Sequence, residues 1–209
     1  MGIITAIETQ KKNGNRVSIY IDGRFALGVH SYVAEKLDLS VNQSIDEKKL
    51  SDIIYAETLN YAKYRALRLI AYRDRSKEEI RRRLISAGIA EDVVDEVIIQ
   101  LINEGLINDE KFCEGYVKSR MASKPMGKKR LTIELSTKGV QNTDIENALS
   151  DISDENEYET AYGLAVKKVR KKECLDLDEK RKLGNFLARR GFGWETIRKV
   201  IERLDSEKS

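Results

Sequence analysis

The chain has 209 residues, 41% apolar and 35% charged, long enough for one or two domains with a real core, and its net charge of +3 is too small to point to nucleic acid by itself. No apolar run approaches the roughly 18 residues of a membrane span, and the start lacks a basic-then-apolar leader pattern, so a cytoplasmic protein with no membrane partner is expected. Cys113 and Cys174 stand far apart and outside any C-x-x-C spacing, which argues against a zinc cluster or a disulfide scaffold.

A strand meander opens the chain: Ile3 to Glu8, a turn at Asn13-Gly14, Val17 to Ile21, a turn at Asp22-Gly23, then Phe25 to Val29. Both dipeptides suit the positive φ of a tight hairpin. His30 follows as a helix-start residue. Ser44-Ile45-Asp46-Glu47 has the spacing of a capping box and is expected to open a long helix through Leu50, Ile53 and Ile54. Everything after that box is expected to be helical, and Pro125 as the only proline favours long amphipathic helices over a sheet-rich fold.

Gly88, Gly139 and Gly191 lie 51 and 52 residues apart, and stacking them exposes an internal repeat. Eight residues before each glycine stand Ile80, Leu131 and Leu183; four before stand Leu84, Leu135 and Leu187; one after stand Ile89, Val140 and Phe192. Six after come Val94, Ile145 and Ile197, nine after Val97, Ala148 and Val200, and ten after Ile98, Leu149 and Ile201. Every column is apolar. A glycine just past a helix can take the left-handed conformation of a Schellman cap, in which the residue after it packs on the residue four before it. Each unit therefore reads as helix, glycine-closed turn, helix. A preceding helix completes it: Ala66 to Arg73, then Phe112 to Met121 after the acidic Asp109-Glu110, then Thr160 to Lys171. The first inter-helix link carries a second capping box, Ser76-Lys77-Glu78-Glu79, whereas Ala122 to Gly127 and Glu173 to Asp178 are expected as longer loops. Cys113 shares an apolar stripe with Phe112, Tyr116 and Val117 and reads as a small buried hydrophobe.

The expected architecture is mainly α: three tandem three-helix repeats in an elongated arrangement, over residues 61–106, 107–152 and 153–209, after a small β-meander plus helix over 1–60.

Charge alternates along these units. Residues 63–85 carry nine Lys/Arg against three Asp/Glu and residues 86–114 one against eight; 115–138 carry seven against one and 139–165 none against seven. Residues 166–209 carry fourteen against eight, so each unit has a basic front and a more acidic back. With Ile80 and Leu84 turned inward, Arg82 lies opposite the core and Arg81 and Arg83 flank it, forming an arginine ridge suited to phosphate or carboxylate. The basic fronts name the expected partner or DNA contacts. They are Arg68, Arg73, Arg75, Arg81, Arg82 and Arg83 in the first unit, Lys118, Arg120, Lys128, Lys129 and Arg130 in the second, and Lys167, Lys168, Arg181, Arg189 and Arg190 in the third. His30 is the only histidine, no glycine-rich phosphate loop is present, and acidic pairs such as Asp109-Glu110 fit helix amino termini. No catalysis, metal or cofactor is expected.

Three stretches resemble the RecX family of regulators of the RecA recombinase. The first runs Ala66-Leu67-Arg68-Leu69-Ile70-Ala71-Tyr72-Arg73-Asp74-Arg75-Ser76 and continues through Glu79-Ile80-Arg81-Arg82-Arg83-Leu84. The second is Gly105-Leu106-Ile107-Asn108-Asp109-Glu110-Lys111-Phe112 with Tyr116 and Arg120, and the third is Leu183 through Phe192. The resemblance spans most of residues 61–203. It implies three three-helix units, a cytoplasmic non-enzyme, and binding to the RecA filament on single-stranded DNA, where the family restrains ATP hydrolysis and strand exchange; a monomer is expected. An independent DNA-binding protein is the alternative, but a recognition helix should open with Asn, Gln or Arg, and the third helices here open acidic. A pure scaffold would bind with weak salt dependence and leave recombinase activity untouched.

Leu135 is the cap partner of Val140 in this alignment, so Leu135→Ala should destabilise by about 2–5 kcal/mol in urea unfolding. A loss below about 1 kcal/mol would mean that the repeat is misaligned there.

Overall fold

The computed structural model describes residues 1–11, 13–169 and 175–207, and the chain divides into two units, Met1–Asn108 and Asp109–Ser209. The first unit opens on an antiparallel sheet of β1 (Gly2–Gln10), β2 (Asn13–Ile21), β3 (Arg24–His30) and β4 (Ser44–Ile45), in the order β3-β2-β1-β4. Asp22 and Gly23 take φ of 49° and 77° and join Ile21 to its partner Arg24, the expected tight turn. Asn13 instead pairs with Gln10, so Asn13-Gly14 begins β2 and does not turn the chain. Ile4, Ile19, Ile21 and Val29 close a core with Val33 and Ala34 of α1 (Ser31–Lys36) and with Leu50 and Ile54 of α2 (Glu47–Tyr72).

The capping box at Ser44 is not formed. Ser44 and Ile45 pair with Ile3 and Gly2 as β4, and Asp46 caps α2, its carboxylate accepting from the backbone N–H of Lys48 (3.1 Å) and Lys49 (3.3 Å). Strand pairing claims the backbone that a Ser44 cap would need. α2 then runs unbroken for 26 residues. Residue 60 and Ala66, read as a domain edge and a helix start, both lie inside it. Its first half buries Leu50 and Ile54 under the meander, and its second half buries Ala62 and Ala66 in the core of the first three-helix module.

That module adds α3 (Lys77–Ser86) and α4 (Glu91–Asn103). The second unit holds α5 (Asp109–Ser123), α6 (Lys128–Thr137) and α7 (Asn142–Ser150), then α8 (Asp154–Val169), α9 (Leu177–Arg189) and α10 (Trp194–Glu207). Ala122 and Ser123, expected in a loop, continue α5, where the Ser123 hydroxyl donates to the Ser119 carbonyl at 2.8 Å. The expected helix end at Lys171, the loop start at Glu173 and Cys174 lie outside the described residues. Ser76 caps α3 by accepting from the Glu79 N–H at 3.1 Å, as the second capping box requires.

All three glycines close their helices as the repeat predicts, with φ of 89° at Gly88, 77° at Gly139 and 87° at Gly191. The Ile89, Val140 and Phe192 N–H groups donate back to the Leu84, Leu135 and Leu187 carbonyls at 3.3, 3.4 and 3.2 Å, which is the Schellman pattern. Of the repeat columns, only Ala148 and Ile201 are partly exposed, and both still pack on their cores. No helix among the described residues is long and apolar enough to cross a membrane.

Two of these turns are gripped from outside their own module. In the first unit the Arg16 guanidinium donates to the Gly88 carbonyl at 3.0 Å, and His30 Nε2 meets the Ala87 carbonyl at 3.0 Å. In the second unit the Gly127 N–H donates to the Arg190 carbonyl at 3.0 Å, and the Arg190 side chain donates to the Pro125 carbonyl at 3.2 Å. A methyl group on Gly127 would strike the Gly191 carbonyl, and one on Gly191 would strike the Arg130 backbone, so both positions exclude side chains.

His30 Nδ1 accepts from the Tyr32 N–H at 3.2 Å while Nε2 faces a carbonyl, so the ring is held neutral with its proton on Nε2. Burial lowers its pKa below the usual 6.5, the Ala87 carbonyl opposes that, and Arg65 and Arg16 reinforce it. The folded state thus binds this proton less tightly than the unfolded chain. Its contribution to stability should be complete above pH 6.5 and decline as pH falls through and below that value. Thermal melts of the parent and His30→Gln from neutral to mildly acidic pH test this; equal acid sensitivity of the two would refute it.

Candidate nucleic-acid and partner interface

The sixteen basic residues of the repeat fronts sort into two groups by what their side chains already hold. Arg81 is not a free ridge residue: it bridges to Asp95 at 3.0 Å and Glu91 at 3.1 Å, both on α4. Arg82 pairs with Glu78 one turn back at 2.8 Å, and Arg73 pairs with Glu79 at 3.1 Å. Arg120 and Arg130 share Glu134, at 3.0 and 3.2 Å. Burial pushes that carboxyl's pKa up, but the Tyr116 hydroxyl and the two guanidinium groups outweigh it and hold the group below its usual range. Lys128 pairs with Asp154 and Arg181 with Asp178. By contrast Arg68, Arg75, Arg83, Lys118, Lys129, Lys167, Lys168, Arg189 and Arg190 form no ion pair with a carboxylate among the described residues. The arginine ridge thus reduces to Arg83, exposed on α3 near Arg75.

In the first unit these unpaired cations meet an aromatic surface that charge counting missed. Tyr61, Tyr64, Arg65, Arg68 and Tyr72 recur at helical spacing on one face of α2 and line a concavity of about 580 Å³. Tyr32 stacks on Tyr61 with ring centroids 4.6 Å apart and planes 23° apart. Arg65 lies 5.6 Å over Tyr61 and donates to its hydroxyl at 2.8 Å, and Arg68 lies 5.9 Å over Tyr64. Arg75 closes the rim, its Nε donating to the Leu69 carbonyl at 3.2 Å near the end of α2. Burial lowers its pKa from the usual arginine value, Arg73 and Arg83 lower it further, and Glu79 and Tyr72 oppose them. The lining contains no carboxylate. The signal was present in the sequence as tyrosines and arginines alternating at three- and four-residue steps.

In the second unit Lys124, Arg130, Arg189 and Arg190 border a smaller concavity of about 320 Å³ around Phe186. Arg190 lies 5.4 Å and Lys168 5.6 Å from the Phe186 ring. Glu134 lines it too, so this site is less purely cationic than the first. Lys118, Lys129, Lys167 and Arg181 stand exposed outside it. Cys113 is fully buried, and burial with nearby Asp144, Asp109 and Glu114 pushes its thiol up to about 11, so it packs and does not react. Among the described residues, no three His, Cys, Asp or Glu side chains are placed to share a metal ion.

Four domain families match along the chain. The Regulatory protein RecX N-terminal domain covers residues 2–46, and the first, second and third three-helix domains of RecX cover 62–101, 108–149 and 154–201. The Regulatory protein RecX of Clostridium perfringens (strain SM101 / Type A) is 32% identical over 211 residues, covering 100% of this chain and 99% of its own. That of Bacillus subtilis (strain 168) is 30% identical over 208 residues, covering 99% and 79%. A crystal structure of regulatory protein RecX superposes with a TM-score of 0.69 at 26% identity, covering 97% of this chain and 100% of the other. The RecX crystal structure from Lactobacillus salivarius gives 0.67 at 30% identity, covering 72% and 99%.

The sorting of the cations predicts different costs for neighbouring arginines. Arg81→Glu would set three carboxylates together and should lower the melting temperature, whereas Arg83→Glu should leave it unchanged. Equal melting of the two variants by circular dichroism would show that the Arg81 bridges do not form in solution.

Proposed function

Because the chain belongs to the RecX family of regulatory proteins, we propose that it binds the RecA filament on single-stranded DNA and restrains ATP hydrolysis and strand exchange, acting in the cytoplasm without catalysis of its own. The observation that carries this reading is the set of cations left without carboxylates: Arg68, Arg75 and Arg83 in the first unit, Lys129 and Arg189 in the second. An unneutralised guanidinium is available to a phosphate or to an acidic protein surface at no cost in broken internal pairs, whereas Arg81 or Arg120 would first have to release its own carboxylates. An independent duplex reader is disfavoured because α4, α7 and α10 carry Glu91 and Asp92, Asp144, and Glu195 in their first turns, which would face phosphates with like charge.

The test is inhibition of single-stranded-DNA-dependent ATP hydrolysis by RecA. Arg68→Glu with Arg83→Glu should raise the concentration needed for half-inhibition by about ten- to a hundredfold, each tenfold being about 1.4 kcal/mol of binding, with an unchanged melting curve. Lys129→Glu with Arg189→Glu should act in the same direction. A doubly reversed variant that melts and inhibits like the parent would remove these residues from the interface.

A further inference from the structure

The aromatic concavity of the first unit has no role in a purely electrostatic contact, and its chemistry is specific. Tyr72 is 83% exposed and Tyr64 59%, so two rings on one helix face are offered to solvent where burial would be favourable. The other two modules act as an internal control. On α5, Tyr116 is covered by Arg120 at 5.1 Å and Lys138 at 5.2 Å, and its hydroxyl donates to Glu134. On α8, Tyr162 carries Arg203 at 3.8 Å and donates to Glu207. In both, the chain's own cation occupies the ring and a carboxylate closes the site. Of these three helices, α2 is the one whose concavity has no carboxylate in its lining: Arg68 lies 5.9 Å over Tyr64, which stays 59% exposed, Tyr72 stays 83% exposed, and Arg65 and Arg75 stand around them.

We propose that this concavity binds unpaired nucleotides of a single strand, with bases stacked on Tyr64 and Tyr72 and phosphates met by Arg68 and Arg75. A flat π face accepts any base, and a guanidinium adds both stacking and a phosphate contact. A duplex cannot use the rings, because its bases are already stacked. An acidic peptide would be served by the arginines but has no use for two exposed rings. The volume of about 580 Å³ suits one or two nucleotides and is too small for a folded partner. Tyr61 and Tyr32 form the inner wall: their mutual stack and the contact of Tyr61 with both first-unit cores hold it rigid. This assignment deepens the filament reading by naming the chemistry of one contact, and bare strands test it separately.

The experiment measures binding of the full chain to a fluorescent oligo-dT of about 15 nucleotides, to a duplex of the same length, and to thymidine monophosphate as competitor. Tyr64→Ala and Tyr72→Ala should each weaken strand binding about five- to a hundredfold, while Tyr64→Phe and Tyr72→Phe stay within about twofold of the parent, because the ring and not the hydroxyl does the binding. Both side chains are exposed, so melting should not change. Duplex binding should be weaker than strand binding and indifferent to the alanine variants. The proposal is overturned if the alanine variants bind oligo-dT like the parent, if strand and duplex lose affinity equally, or if the mononucleotide competes as tightly as the strand does. It is equally overturned by a parent that ignores bare strands. Inhibition of RecA separates the two ideas: tyrosine variants with unchanged strand binding and normal inhibition sink the concavity alone, whereas full inhibition retained by Lys129→Glu/Arg189→Glu, which lie outside the concavity, counts against the filament reading.

Discussion

The structure depends on the carbonyl end of a glycine-closed helix. A Schellman turn satisfies most of the last carbonyls of a helix from within, but leaves the final ones pointing outward at the negative end of the helix dipole. Here those leftover acceptors become docking points. Arg16 and His30 take the Gly88 and Ala87 carbonyls, and the Gly127 N–H takes the Arg190 carbonyl. One local conformation therefore does two jobs: it folds the third helix of a module onto the second, and it supplies the hydrogen bonds by which a preceding segment is seated. Glycine is needed at Gly191 twice over, for a φ of 87° and for the approach of the Arg130 backbone.

Charge follows the same economy of partners. The repeat places basic second helices beside acidic third helices, and much of that alternation is consumed inside the protein: Arg81 on Asp95 and Glu91, Arg120 and Arg130 on Glu134. A sequence count of basic residues measures the sum of internal pairing and outward surface, and only coordinates divide the two. The remainder is unevenly shared. Arg65, Arg68 and Arg75 gather around a carboxylate-free hollow, while Arg189 and Arg190 share theirs with Glu134.

The elements most legible in the sequence were those written by strict geometry. The glycine columns, with apolar partners four before and one after, specified all three turns, and the Ser76 box specified the start of α3. Where two local signals competed for the same backbone, the sequence was ambiguous. Ser44 could cap a helix or pair in a sheet, and pairing with Ile3 won; Asn13-Gly14 could turn or extend, and the register with Gln10 extended it. The unbroken α2 hid because its two halves bury different faces in two different cores, which erases any single apolar stripe. The candidate site was only half visible for a related reason: arginines were counted as charge, while the tyrosines between them carry no charge and look like ordinary core.

Those two facts about α2 meet at Tyr61. The helix must change its buried face midway, and Tyr61 stands at the change, packed against the meander core on one side and the first module's core on the other. His30 lies 4.7 Å from its ring and Tyr32 stacks at 4.6 Å, both from the segment that ends the meander. The same His30 bonds the carbonyl of the Gly88 turn, so ring, meander and turn are tied at one residue. The segment that ends the amino-terminal sheet thereby fixes the inner wall of the tyrosine concavity. Loosening the His30 contact would remove one of the two side-chain bonds on the Gly88 turn, Arg16 holding the other, together with one of the ring contacts of Tyr61, so the geometry of the candidate site depends on the amino-terminal domain through His30, Tyr32 and the core against which Tyr61 packs.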